Sequence, residues 1–205
     1  MRRIDFNQGW MFAKKGGEAV PVSLPHDAML HETRDPACAN GKTTGYFPGG
    51  CYLYTKTFRV PPEWEGKCLY LEFEGVYQNA AVRLNGQELY RRPYGYTNFS
   101  VELTGLVHTG DTACVEVMAD NSGEPCTRWY SGSGIYRPVW LYIGPKCHIE
   151  IDGVQITTLS HDPAAVRVRT LASGGTARVT ILRDGRAVAA GEGNDDHHSR
   201  RRTVE

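Results

Sequence analysis

The chain has 205 residues, and its 23 lysines and arginines balance 23 aspartates and glutamates, so the formal net charge is zero. Nucleic acid is therefore not indicated as a partner, because binding a polyanion calls for an excess of basic side chains. Hydrophobic residues make up 40% of the chain and charged residues 22%, a composition typical of a folded core. This length suffices for one large β domain, or for one domain and part of a second.

The amino terminus, residues 1–10, carries two arginines but no apolar run after them, so it lacks the pattern of a secretory signal. No stretch approaches the roughly 18 apolar residues of a membrane-spanning helix, and we expect no membrane partner. The six cysteines form no Cys-x-x-Cys pair, and no metal-ligand spacing is present. We therefore expect a cytoplasmic protein with reduced thiols, no metal and no cofactor. Disulfides remain an alternative only for a secreted protein.

Apolar and polar residues alternate with a period of two along much of the chain, and no segment has the period of an amphipathic helix. The first long alternating run, residues 52–60, ends at Pro61. Asn85-Gly86 separates two shorter runs and predicts a two-residue hairpin turn, because both residues tolerate positive φ. Many short strands separated by glycine and proline predict an all-β fold, namely a jelly-roll β-sandwich.

The composition changes after Gly144-Pro145, where aromatic residues become rare and valine, alanine and arginine more frequent. Four further short strands and a hairpin turn at Asp184-Gly185 are typical of the start of an immunoglobulin-like sandwich, which needs about 100 residues. We therefore predict a first domain at 1–144, a partial immunoglobulin-like domain at 145–190 and a disordered polar tail at 191–205. An incomplete sandwich leaves strand edges unpaired, which favours self-association.

Four ordered motifs carry a family resemblance. The most specific is RWYSGSGIYRPVWL at 128–141. The others are LPHD at 24–27, GYF at 45–47 with the strand that follows, and FEGVYQNA at 73–80 followed by LNG at 84–86 and PYGY at 93–96. In order and spacing they resemble the N-terminal region of family 2 glycoside hydrolases, the family of β-galactosidases and β-glucuronidases. The resemblance covers Phe6 to about Ile143, and the chain beyond agrees only in pattern.

The resemblance implies a galactose-binding-like jelly roll, then an immunoglobulin-like domain, then a (β/α)₈ barrel that carries both catalytic glutamates. A barrel takes about 250 residues, and the chain contains no barrel sequence. We therefore expect a non-catalytic N-terminal part of a β-galactosidase-like hydrolase of carbohydrate metabolism, with carbohydrate and the barrel as its partners. A stand-alone carbohydrate-binding module and a structural interaction domain are the alternatives.

The SGSG segment at 131–134 cannot be an ordinary strand interior, because its two glycines permit positive φ and close backbone approach. The resemblance implies that this loop leans toward the barrel mouth and helps to wall the sugar pocket. We expect the loop Arg128–Arg137 to be exposed and mobile, with Trp129 or Tyr130 partly solvated. For its role, core or interdomain packing of Trp129 and Tyr136 is the alternative to substrate contact. The candidate substrate-binding residues are Asp120, Asn121, Arg128, Trp129 and Tyr130.

Three other groups have weaker functional interpretations. His26 and Asp27 could form a catalytic dyad, but adjacent residues on a strand point to opposite faces, and we expect a hydrogen-bonding role in a loop. Tyr94 and Tyr96 could stack on a sugar ring, although hairpin packing is the more ordinary role. Residues 195–198, Asp-Asp-His-His, could ligate a metal, but their polar surroundings favour a solvated tail.

We expect the 205-residue chain alone to hydrolyse neither β-galactosides nor β-glucuronides. Retaining hydrolysis needs two carboxylates about 5–5.5 Å apart, and the resemblance places both on the barrel. Turnover of chromogenic glycosides at high protein concentration measures this. Activity that survives rigorous purification and is lost when a carboxylate of this chain is substituted would contradict the expectation.

Overall fold

A computed structural model describes residues 1–123, 129–194 and 203–204 of the protein. The chain divides into two compact units, Arg2–Ile143 and the residues from Gly144 onward together with Met1. This division falls beside the Gly144-Pro145 pair at which the composition changes. Within these residues the regular structure consists of strands and three short 3-10 helices at Ala28–His31, Gly41–Thr44 and Pro62–Trp64, which confirms the predicted all-β class. No helix in the described part of the chain is long and apolar enough to cross a membrane.

The unit Arg2–Ile143 is built from two antiparallel sheets. Its strands are β1 (Arg2–Asp5), β2 (Trp10–Lys14), β3 (Val20–Val22), β4 (Cys51–Arg59), β5 (Cys68–Phe73), β6 (Ala80–Leu84), β7 (Gln87–Arg92), β8 (Phe99–Glu102), β9 (Thr112–Asp120) and β10 (Val139–Gly144). Six strands form one sheet in the order β3-β2-β4-β9-β6-β7, and four form the other in the order β1-β10-β5-β8. The first strand thus pairs with the last, from Arg2 opposite Ile143 to Asp5 opposite Trp140.

The core of this unit lies between the two sheets. Alternation along β9 buries Val115 and Val117 completely and leaves their neighbours half-exposed, as expected for a strand with one face on a core. The other sheet contributes Leu71 and Phe73 from β5, and both are fully buried. Each such side chain contributes about 1.5–3 kcal/mol on burial. The two inner faces together therefore account for the cohesion of this unit.

The predicted hairpin at Asn85-Gly86 is confirmed. Asn85 has φ of 50° and Gly86 has φ of 83°, and the turn joins the antiparallel strands β6 and β7. The Asn85 side chain also accepts a hydrogen bond from the backbone N–H of Cys114 at 2.8 Å. The turn is therefore tied to β9 as well as to its own hairpin.

The unit from Gly144 onward contains the strands β11 (Ile149–His161), β12 (Ala164–Ala172), β13 (Thr176–Arg183), β14 (Arg186–Asn194) and β15 (Thr203–Val204). They form one sheet in the order β11-β12-β15 and a separate hairpin, β13-β14. Positive φ at Asp184 and Gly185 confirms the predicted turn of that hairpin.

The segment 191–205, predicted as a disordered polar tail, contains strand residues: Gly191–Asn194 belong to β14, and Thr203–Val204 form β15. Gly191 and Gly193 lie opposite Val179 and Ala177 in the register of the hairpin. Backbone hydrogen bonds to β13 hold these residues in a strand, although their own sequence has no alternating apolar residues. Residues 195–202 and 205 lie outside the described part of the chain.

Between Gly144 and Gly193, all of them described, no hydrophobic side chain is buried. Several apolar side chains of β11, β13 and β14 face solvent instead; Ile156 is 70% exposed, Leu182 61% and Val188 59%. Burial of apolar area is the dominant favourable contribution to folding. This unit therefore has little burial free energy of its own to hold its hydrogen-bonded ladders together.

We expect the amides of β11 and β12 to exchange with solvent much faster than those of β4 and β9. Both pairs are long antiparallel ladders, so the comparison isolates the effect of the buried core on local stability. Hydrogen exchange followed by mass spectrometry measures it. Equal protection of the two ladders in a monomeric sample would contradict the expectation.

Candidate functional site

Four loops meet at one end of the six-stranded sheet, where β4 and β6 begin and β7 and β9 end. The register fixes this arrangement, because Cys51 at the start of β4 lies opposite Asp120 at the end of β9. Likewise Ala80 at the start of β6 lies opposite Arg92 at the end of β7. We call this the loop end of the sheet. The segment 129–136, which contains most of the predicted loop, crosses the same end.

Asp27 anchors the crossing loop. One carboxylate oxygen, Oδ1, accepts hydrogen bonds from the backbone N–H groups of Met29 and Ser133, each at 3.0 Å. The other oxygen, Oδ2, accepts one from the Tyr130 hydroxyl at 2.8 Å. Asp27 therefore caps the 3-10 helix Ala28–His31 and holds a loop more than 100 residues away in sequence. The predicted loop hydrogen-bonding role is confirmed for Asp27.

Gly132 lies directly against this carboxylate. Its φ is 69°, and a Cβ atom at this position would lie 2.7 Å from Oδ2 of Asp27. A side chain would thus meet both a backbone conformation that L residues rarely adopt and the anchoring carboxylate. The first glycine of the SGSG segment is therefore required by the contact that fixes the loop.

Asn121, which the sequence predicts as a substrate-binding residue, also anchors the loop. Its Oδ1 accepts from the backbone N–H of Gly50 at 2.9 Å, and its Nδ2 donates to the backbone oxygen of Gly132 at 3.3 Å and lies 3.1 Å from Sδ of Met29. The residue is buried. Because both ends of the amide are engaged inside the protein, Asn121 joins the start of β4 to the loop.

The second half of the loop is buried, contrary to the expectation of an exposed, mobile segment. Gly134 and Tyr77 exchange two backbone hydrogen bonds, of 2.8 and 3.0 Å. The Ser133 hydroxyl donates to the backbone oxygen of Tyr77 at 2.9 Å, and Ser133 and Ile135 have no exposed surface. The expectation of exposure holds only for the first residues, since Trp129 is 56% exposed and Tyr130 40%. Pairing with the neighbouring segment explains why the glycines do not leave this backbone loose.

Trp129 and Tyr130 have different neighbours although they are adjacent in sequence. The Trp129 indole Nε1–H donates to the Tyr96 hydroxyl at 3.0 Å. Tyr130 instead donates to Asp27, and its ring meets that of Phe47 edge-on at 5.7 Å. Burial and the hydrogen bond to Asp27 raise the pKa of Tyr130, which keeps the hydroxyl a donor. Arg128, the third predicted residue of this segment, lies outside the described residues, as does Cys126.

Asp120 is half-buried at the loop end, and its carboxylate accepts hydrogen bonds from the backbone N–H and hydroxyl of Ser122. Its backbone oxygen accepts from Nδ2 of Asn79 at 3.0 Å, while the backbone N–H of Asn79 donates to Pro93. The structure thus places an exposed amide beside Asp120 that the sequence prediction missed. The sequence does show two polar amides, Gln78 and Asn79, just before a predicted strand. Their proximity to Asp120 follows only from the pairing of β6 with β9.

His26 does not form a dyad with Asp27. Its Nδ1 lies 2.8 Å from the Tyr54 hydroxyl, and its ring stacks on that of His31 at 4.8 Å. Burial, with the charge of His31 second, lowers the pKa of His26. This histidine therefore favours the neutral form and packs at the edge of the core.

In the described residues no three His, Cys, Asp or Glu side chains converge as metal ligands. The Asp-Asp-His-His run at 195–198 lies outside those residues.

We expect Asp27→Ala to lower the free energy of unfolding by about 1–3 kcal/mol, because it leaves the buried N–H of Ser133 without a partner. Tyr130→Phe is the matched control. It removes one of the same three hydrogen bonds at a partly exposed group, and should cost about 0.5–1.5 kcal/mol. Urea denaturation of both variants measures the difference. Equal effects would show that Asp27 does not anchor the loop.

Comparison with known proteins gives the family. A family model described as the glycosyl hydrolase 2 galactose-binding domain-like region matches residues 10–128. β-Galactosidase BoGH2A of Bacteroides ovatus is 39% identical over 171 residues, which are 78% of this chain and 20% of that enzyme. A β-glucuronidase of Bacteroides fragilis is 32% identical over 198 residues, which are 87% of this chain and 28% of that enzyme. The chain therefore spans less than a third of the length of these relatives.

Solved structures agree with the sequence comparison. A family 2 glycosyl hydrolase of Bacteroides cellulosilyticus superposes with a TM-score of 0.79 at 27% identity, covering 100% of this chain and 30% of that one. A β-glycosidase of Bacteroides vulgatus gives a TM-score of 0.80 at 28% identity, covering 95% of this chain and 28% of that one. The chain belongs to family 2 of the glycoside hydrolases, through its galactose-binding domain-like region.

Proposed function

We propose that this chain serves as the N-terminal, non-catalytic part of a β-galactosidase- or β-glucuronidase-like glycoside hydrolase. In this role the loop end of the six-stranded sheet faces the catalytic domain and helps to hold the sugar. The observation that carries the proposal is the pairing of a hydrogen-bonded base, made by the half-buried Asp27 and the buried Asn121 and Ser133, with exposed aromatic and polar groups beside it.

A rigid base is what a substrate-positioning loop requires. Misplacing a contact by about 1 Å can cost on the order of a hundredfold in rate, so residues that orient a substrate are themselves held by neighbours. At the loop end this support comes from long-range hydrogen bonds rather than from the loop's own sequence. The similarity of the chain to β-galactosidases and β-glucuronidases supports a sugar as the ligand.

The exposure of the aromatic side chains at the loop end supports a protein partner that covers them. Trp129 and Tyr130 are large side chains that remain open to solvent at the end of a well-packed sandwich. Exposed apolar groups that cluster in this way mark interaction sites. A catalytic domain that approaches the loop end would cover these side chains and bring Asp120 and Asn79 close to a bound sugar.

A chimera tests the proposal. The matched segment of BoGH2A is replaced by the corresponding part of this chain, and hydrolysis of a chromogenic β-galactoside is measured. We expect a folded, active chimera in which Asp120→Asn lowers kcat/KM about tenfold without changing Tm. The substitution keeps an acceptor for Ser122 and removes only the charge.

Asp111→Asn provides the control, because Asp111 is an exposed carboxylate beside the opposite end of β9. It should leave kcat/KM unchanged. A folded chimera without activity, or an Asp120→Asn variant as active as its parent, would count against the proposal.

A further inference from the structure

Two histidine rings stack on each other at the two ends of the short segment 26–31, which contains Asp27. The imidazoles of His26 and His31 are nearly parallel, with an angle of 10° between their planes and 4.8 Å between their centroids. Phe12 of β2 also packs against the His26 ring, at 4.6 Å. His26 is half-buried and His31 is exposed. The inner ring of the pair is thus enclosed by aromatic neighbours.

The His26 ring is connected to the crossing loop through Tyr54. Nδ1 of His26 lies 2.8 Å from the Tyr54 hydroxyl, and the backbone N–H of Ile135 donates to the same hydroxyl. Because Ile135 occupies the acceptor side of this oxygen, the hydroxyl proton is directed toward Nδ1, which accepts it only when the imidazole is neutral. A Cβ on Gly134 would overlap the Tyr54 hydroxyl, so the second glycine of the SGSG segment permits this approach.

The backbone of the histidine segment pairs with the same part of the loop. The N–H of His26 donates to the backbone oxygen of Ile135, and the N–H of Ala28 donates to that of Ser133, each at 2.8 Å. The histidine and the segment 133–135 are therefore joined both by side chains and by backbone. A displacement of the His26 ring would act directly on the loop.

Protonation of His26 opposes this arrangement in two ways. A proton on Nδ1 would point at a hydroxyl that already accepts from Ile135, and the hydroxyl would have to turn its own proton elsewhere. A charge on His31 at stacking distance would repel the charge on His26. Burial and the charge of His31 together lower the pKa of His26, and the attraction of Asp27 offsets them only in part.

The carboxylates near the two rings are engaged by other groups. Asp27 accepts hydrogen bonds from the backbone of Met29 and Ser133 and from a tyrosine hydroxyl. Glu32, next to His31, lies 2.7 Å from Nζ of Lys14 and also accepts from Tyr52. The other two neighbours of His26, Phe12 and Tyr54, bring no negative charge at neutral pH. The surroundings therefore favour a neutral pair of rings.

The sign of the pH dependence follows from the lowered pKa of His26. The folded chain binds this proton less tightly than the unfolded chain, in which a histidine titrates near pH 6.5. The contribution to stability is therefore complete above about pH 6.5 and is lost progressively as the pH falls below that value.

We propose that the stacked pair of His26 and His31 is a pH-sensitive switch, which holds the segment 133–135 in place when the rings are neutral and loosens it when they are protonated. Acidification from pH 7 to about pH 5.5 suffices, since histidine is the side chain that ordinarily titrates in this range. The switch lies within this chain and requires neither a sugar nor a catalytic domain, so it stands apart from the proposed function.

Hydrogen exchange of the whole chain at pH 7 and pH 5.5, corrected for the intrinsic exchange rates, tests the switch. We expect the protection of the Ser133 and Ile135 amides to fall about tenfold at the lower pH, because local opening becomes easier. The amide of Val101, in the other sheet, should lose clearly less protection. In His26→Asn, whose side-chain oxygen can accept from Tyr54 without titrating, the two loop amides should keep their protection.

His108→Asn is the matched control, because His108 is an exposed histidine in the loop before β9. It should respond to pH as the parent chain does. Unchanged protection of Ser133 and Ile135 on acidification, or the same loss in His26→Asn as in the parent, would overturn the switch. Equal losses at Ser133, Ile135 and Val101 would assign the effect to global unfolding and overturn it as well.

An NMR titration of the imidazole protons tests the pairing of the rings independently of the folding of His26→Asn. His31→Ala should raise the midpoint of the His26 titration, because it removes a neighbouring charge and uncovers one face of the ring. A His26 midpoint that is the same in His31→Ala and in the parent chain would show that the two rings do not act together and would refute the proposed pair.

Discussion

The loop end depends on one carboxylate that accepts three hydrogen bonds. Asp27 accepts hydrogen bonds from a backbone N–H of the 3-10 helix that it caps, from a backbone N–H of a distant segment and from a tyrosine hydroxyl. Hydrogen bonds to an ionised acceptor are stronger than neutral ones, and here they join the first part of the chain to the end of the same unit. The positions of Tyr130, Ser133 and Gly132 all follow from this contact.

The contact also explains why a glycine-rich segment is ordered. Glycine lowers the local preference for any one conformation, so the segment alone would be loose. At Gly132 the absence of a side chain allows the anchoring carboxylate of Asp27 to approach the backbone. The contact with Asp27 restricts the backbone of Gly132. The exposed aromatic side chains at the beginning of the loop are therefore attached to a fixed backbone.

The sequence predicts those features of the fold that depend on residues close together in the chain. The hairpins at Asn85-Gly86 and Asp184-Gly185 and the alternation along β4 and β9 follow from local turn chemistry and one-sided burial. Burial of Asn121 and pairing of Gly134 with Tyr77 do not, because each contact joins segments that are remote in sequence. Gly191 and Gly193 show the same limit, since the partner strand imposes extended structure on them. The aromatic residues at 129 and 130 were recognisable as a pair, but their different neighbours become apparent only once the loops are brought together.

The pairing of β1 with β10 has a consequence for how the chain is made. Arg2–Asp5 finds its partner only in Val139–Gly144, so the four-stranded sheet cannot close until the ribosome has delivered nearly the whole of the unit. Contacts between such distant segments make folding slow. Until then the inner faces of β5 and β8 lack part of their sheet, and the nascent chain must keep its apolar side chains from other molecules. The same closure places the two ends of the unit side by side, an arrangement that lets a domain be joined to other domains without disturbing its sheets.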